Sequence, residues 1–199
     1  MILKIQGIYQ AEADAGLHAA AEWLLRQWRE EGYIQEVNGK WAKDTARGEE
    51  ALRRAGMPGA KPVWQVNGQG QTMVLVPGPV EFRMGSPETE AERYGNETSH
   101  QKRISRGFAI ASTPVTLEQY ERFAKNYGRS LGSPYDRDRR LPAVGISWFM
   151  AAAYCNWLSE QEGIEEEEWC FEITAKETRL KPDYLKRRGY RMPTEAEYE

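Results

Sequence analysis

Histidine and cysteine are scarce: His18, His100, Cys155 and Cys170 are all that 199 residues hold. Two cysteines make neither a disulfide framework nor a zinc site. With so few soft ligands, a metal centre built from these residues alone is not expected. Charge of one sign is missing too. The 27 Lys and Arg stand against 30 Asp and Glu, a net charge of −3. Nothing in that balance draws the chain to nucleic acid or to an anionic membrane. No apolar run approaches the about 18 residues of a membrane span. The start, "MILKIQGIYQ", lacks the apolar stretch and small-residue cleavage site of a signal peptide. The expectation is a soluble cytoplasmic protein. A phosphate cradle is also missing, because "GPVEFRMGS" has neither the spacing nor the lysine of a P-loop. Its glycines suit a hairpin turn. There are no internal repeats.

What is present suits a folded chain. Apolar residues make up 40%, with seven Trp and ten Tyr, enough to build a core. In "GLHAAAEWLLRQW", Leu17, Ala20, Ala21, Leu24 and Trp28 recur at helical spacing. Asp14 is the expected N-cap and Gly32 the expected stop. A shorter helix over about 48–55 ends at Gly56, with Pro58 beyond it. "MPGAKP" then reads as a linker. Short β-type runs follow at 63–66 and 73–76, separated by the turn signal "NGQGQ". In "VEFRMG", Val80, Phe82 and Met84 alternate with Glu81 and Arg83, the pattern of a half-buried strand. Residues 104–112 read as two strand pieces around Gly107. Thr116 and Gln119 have capping-box spacing before the stripe Leu117, Tyr120, Phe123, Ala124 and Tyr127. Ser147 caps a further helix, whose expected inner face is Trp148, Ala151, Ala152, Cys155 and Leu158. Finally, Thr194 and Glu197 form a capping box in "YRMPTEAEYE", with five residues after the cap. A helix that short is marginal alone.

Four segments, in order, carry a family resemblance. "MVLVPGPVEFRMGS", "TPVTLEQYERF", "LPAVGISWFMAAAYCNWLS" and "YRMPTEAEYE" resemble the first part of the formylglycine-generating enzyme, or sulfatase-modifying factor, domain. The long insertion "EGIEEEEWC…LKPDYLKRRG" resembles that of bacterial members. The resemblance covers about residues 72–199. It implies an α+β fold of irregular, C-type-lectin-like architecture. In the family the Thr-Glu-Ala-Glu helix lies mid-domain, so it also implies a domain truncated at its C-terminus, with strands that pair with 73–85 expected from absent sequence. The organisation expected is a helical appendage at 1–60, a linker at 61–71, and the domain's N-terminal part at 72–199.

The resemblance implies a parent activity of oxidising a protein cysteine to formylglycine, or a related oxidation. Copper(I) would be held by a cysteine pair near the domain's C-terminal end, since soft thiolates suit that ion. Neither Cys155 nor Cys170 matches that pair, and Cys155 falls on the family's helix cysteine, which the resemblance makes a packing position or, in secreted relatives, a disulfide partner. No catalytic, cofactor-binding or metal residue is carried over. Copper and calcium are expected only in a full-length relative, and a protein or peptide is the expected substrate. A reading from another class is a non-catalytic ligand-binding or interaction module within a bacterial signalling protein, because fold does not fix function. Sulfoxide synthesis of the ergothioneine type would need a His-rich iron site, and His18 is the only histidine before residue 72. Tyr198 stands where the family has Trp.

Each remaining candidate has a plainer reading. Cys155 lies on an apolar stripe and Cys170 in a Glu-rich loop, which suits packing and a raised thiol pKa. His18 belongs to the appendage helix, and His100 precedes a strand. "DRD" (136–138) mixes acid and base beside further Arg, which opposes cation binding. "EEEE" (165–168) reads as a solvated surface loop. The 16–28 helix could dock a partner or pack on the domain that follows.

Overall fold

A computed structural model describes residues 1–44, 48, 50–51, 53–54, 62–95, 97–126 and 138–199. They divide into two compact units, one of 1–66, 72–110 and 193–199, the other of 67–71 and 111–192. The expected helix stop Gly56, residues 57–61 of the linker segment and residues 127–137 lie outside the described residues.

Three helices open the first unit: α1 (Ile2–Ala11), α2 (Ala15–Gln27) and α3 (Glu31–Trp41). Asp14 caps α2 as expected, its carboxylate accepting from the Leu17 amide at 2.9 Å. The stop differs from expectation, because α2 ends at Gln27 and Gly32 lies inside α3. The reversal is made at Arg29 (φ 61°), with Glu30 N donating to Leu25 O and Arg29 N to Arg26 O. That is a Schellman pattern with Arg in the left-handed position. The buried face of α2 is also rotated from the expected stripe. Its buried residues are His18, Ala21, Glu22 and Leu25, while Leu17 is 55% exposed. Tyr9, Ala21, Leu25, Ile34 and Val37 form the core among the helices. Gly48, Glu50, Ala51, Arg53 and Arg54 are helical, as expected of that segment.

Strands β1 (Val63–Val66), β2 (Thr72–Val76) and β5 (Phe108–Ala111) form a sheet in the order β1-β2-β5. β1 runs antiparallel to β2 with Val63 opposite Leu75. β3 (Val80–Met84) and β4 (His100–Ile104) form a second antiparallel pair. The strands at 73–85 therefore have partners within this chain, and the expectation that those would come from elsewhere is corrected. β1 itself falls in the stretch expected as linker. Helix α6 (Glu195–Tyr198) keeps its capping box. It is held by an ion pair between Glu197 and Arg106 at 2.6 Å, and by Gly85 N donating to the Glu199 carboxylate at 2.8 Å. Tertiary contacts thus supply the stability that one turn lacks by itself. Tyr198 does not pack and is 79% exposed.

The second unit is built on α4 (Leu117–Asn126) and α5 (Trp148–Gln161). The Thr116–Gln119 box is reciprocal, with bonds of 2.9 and 3.3 Å, and Ser147 accepts from Met150 N. Tyr120, Phe123, Ala124, Tyr154, Trp157 and Leu158 make its core, rings meeting at 5.3–5.9 Å. The inner face of α5 differs from expectation at its start: Trp148 is 42% exposed. Buried residues instead run continuously from Tyr154 to Ser159. The short hairpin β6 (Phe171–Ile173) and β7 (Thr178–Leu180) follows, with one 3-10 turn at 166–168 and another at 184–186. The architecture is mixed helix and sheet, as the α+β expectation required.

Candidate functional site

The two thiols come together. Cys155 projects from α5 and Cys170 stands directly before β6. Both join one cluster with Ala152 and Phe171, flanked by Tyr184, Tyr190 and Met192. Ala152 lies one turn before Cys155, so the helix turns a small-residue face to Cys170 and Phe171. Cys155 is 7% exposed and Cys170 not at all. The Cys170 thiol donates to the carbonyls of Gly189 (3.2 Å) and Tyr184 (3.5 Å). Gly189 is required there by close approach. A Cβ on it would lie 2.7 Å from Glu168 O and 2.8 Å from Trp169 Cα.

Burial dominates the chemistry of both groups. It pushes the Cys155 thiol up to about 12, with the neighbouring Cys170 adding to the rise and Arg191 opposing it. Burial raises Cys170 as well, against Arg191, Arg187 and Lys181. The expected direction for Cys170 holds, but desolvation is its main cause and Glu168 contributes least. Protonated, desolvated thiols are poor nucleophiles and poor metal ligands.

A polar network lies beside this cluster. Asn67 donates to Gln71 Oε1 (2.8 Å) and to the Tyr190 hydroxyl (3.2 Å), and Gln71 donates to the Tyr154 hydroxyl (3.1 Å). The Ser159 hydroxyl donates to Cys155 O (3.0 Å) and accepts from Tyr190 N (2.8 Å). Burial holds the Tyr154 and Tyr190 hydroxyls well above the usual phenol range. These bonds fix the 67–71 turn and the 190 segment on α5. The turn signal in "NGQGQ" was legible, but its side-chain partners were not.

The other candidates stay apart from the thiols. His18 is fully buried in the first unit, its ring stacked on Trp64 (3.5 Å) and Tyr9 (4.5 Å). Its Nδ1–H donates to the Tyr9 carbonyl at 2.9 Å. Trp64 Nε1 donates to Glu12 O, and the Thr72 hydroxyl to Glu22. His18 thus packs the helices onto the β1-β2 hairpin. His100 opens β4, exposed, with Nδ1 bonded to Thr98 O. Asp136 lies outside the described residues. Asp138 is held by the Arg140 guanidinium and amide, which lower its carboxyl to about 2. The 165–168 stretch is solvated as expected, with Glu165, Glu166 and Glu167 exposed, and surface bonds hold it: Glu166 O accepts from Lys181, Glu167 O from Arg187, and the Glu168 carboxylate from Arg188 N. Among the described residues, no three His, Cys, Asp or Glu side chains are grouped to hold a metal ion. No described helix is long and apolar enough to cross a membrane.

A family model of the sulfatase-modifying factor enzyme 1-like domain matches residues 56–199. The chain belongs to the sulfatase-modifying factor family. Neither a curated protein nor a solved structure matches it. For a sulfatase-modifying factor domain, the informative feature is what surrounds the cysteines. The copper(I) site that the family implies does not fit Cys155 and Cys170. Their thiols are buried among apolar groups, and Cys170 already spends its proton on two carbonyls.

Proposed function

We propose that this family membership carries the family's chemistry, the oxidation of a protein cysteine to formylglycine or a related oxidation. In this reading residues 72–199 build scaffold of C-type-lectin-like architecture, residues 1–60 are a helical appendage, and a protein or peptide is the substrate. The redox-active cysteine pair is contributed by residues other than Cys155 and Cys170. The observation that carries the reading is the family match over 56–199. The burial of both thiols supports the scaffold half. Copper is the cofactor this chemistry calls for, and a cytoplasmic setting suits a chain with so few cysteines.

The test is an aldehyde assay. The native gene product is incubated with copper(I), oxygen and a cysteine-containing peptide, and peptide aldehyde is read by mass spectrometry after hydrazide capture. Aldehyde is expected, and it persists in folded Cys155→Ala and Cys170→Ala variants. No aldehyde from the native product would overturn the activity. Loss of aldehyde in either folded variant would overturn the scaffold assignment.

A further inference from the structure

The insertion after α5 is tied down by backbone contacts and ion pairs, most of them at the surface. Arg179 pairs with Glu172, and Lys186 with Asp183, both in solvent. Exposed pairs contribute little. Beneath them lies one dry contact between insertion and helix, the cluster of Ala152, Cys155, Cys170 and Phe171. It contains every cysteine the chain has. Two side chains of one type, 15 residues apart in sequence, share a buried cluster with Ala152 and Phe171.

We propose that Cys155 and Cys170 are a disulfide-forming pair, a modification site that clamps the 162–189 insertion to α5. The oxidant is a low-molecular-weight disulfide such as glutathione disulfide. From a locally opened state, the Cys170 thiolate attacks one sulfur of the oxidant and expels a glutathione thiolate. Arg191, Arg187 and Lys181 favour charge on Cys170. The Cys155 thiolate then attacks the Cys170 sulfur of the mixed disulfide and expels the second glutathione thiolate. Both thiol protons end on glutathione. The protein pair loses two electrons and the oxidant gains them, so nothing further is needed. Burial makes the exchange slow, since rates follow thiolate fraction and access. Its equilibrium is set instead by how the fold holds the two side chains, which share one buried cluster. The disulfide would close a loop across Glu165–Glu168, fixing the acidic stretch and the basic segment that folds back on it.

The experiment equilibrates the purified chain with mixtures of reduced and oxidised glutathione, once folded and once in urea. Free thiols are trapped with iodoacetamide, and products are read by intact mass and a non-reducing peptide map. With two cysteines, any internal disulfide is this pair. The expected result is an equilibrium constant at least about tenfold higher folded than unfolded, a difference of about 1.4 kcal/mol. Oxidised protein should also melt at a higher temperature than reduced protein. An equal or lower constant in the folded chain would overturn the proposal. So would glutathione adducts or intermolecular dimers as the sole oxidised products.

Discussion

Removing Glu197 tests how a helix of one turn is kept. Its side chain is 1% exposed. One carboxylate oxygen pairs with Arg106 at 2.6 Å, and the other accepts from Thr194 N (2.9 Å) and Thr194 Oγ1 (3.0 Å). Glu197→Ala removes the cap and strands the guanidinium. Breaking a buried pair from one side costs about 3–5 kcal/mol. Arg106 is 30% exposed and recovers water, so a loss of about 2–3 kcal/mol is expected. Arg106→Ala should cost at least as much at neutral pH, because the carboxylate it strands is the more deeply buried partner. Urea unfolding followed by Trp fluorescence gives the global numbers, and hydrogen exchange at the Tyr198 amide, which donates to Thr194 O, reports α6 itself. A double-mutant cycle should return a coupling above about 1 kcal/mol. A coupling below about 0.5 kcal/mol, with unchanged exchange at Tyr198, would refute the account of why α6 stands.

Two further perturbations test other parts of the structure. Trp64→Ala removes the ring on which His18 stacks at 3.5 Å and should cost about 3–5 kcal/mol in urea unfolding; a loss under about 1 kcal/mol would mean that helices α1–α3 do not depend on that contact. Cys155 is protonated in the fold up to about 12, against an ordinary value of 9.0. A raised folded-state pKa means that stability falls as pH rises between those values, by up to about 1.4 kcal/mol per pH unit. Cys155→Ala should flatten that alkaline fall, and a parallel profile for the variant would contradict it.

Among helices α1–α6, those that could be read from sequence are the ones that carry a side-chain cap. Asp14, Thr116, Ser147 and Thr194 each announced a helix, and each makes the bond that its residue type suggests. Helices α1 and α3 went unread because neither has a side-chain cap, and Gly7, Gly32 and Gly39 interrupt them. Their stability comes from burying Tyr9, Ile34 and Val37, which local signals do not encode. The face of α2 was misjudged because a hydrophobic pattern scores His18 and Glu22 as polar, whereas both are buried with partners. Likewise, the Glu-rich neighbours of Cys170 pointed to charge as the cause of its raised pKa, whereas burial dominates. Folding of the 184–190 backbone over the thiol, which Gly189 permits, is a contact across 19 residues that no local pattern shows.

In the native reduced protein both thiols are protonated core groups, shielded from reagents in solution. Iodoacetamide labelling of the reduced, native protein at mildly alkaline pH, read by intact mass over time, tests it most directly. Labelling of Cys155 and Cys170 only as fast as the protein opens, and fully on addition of urea, is the expected result. Rapid labelling of either cysteine in the native protein, at the rate of a free thiol peptide, would contradict it.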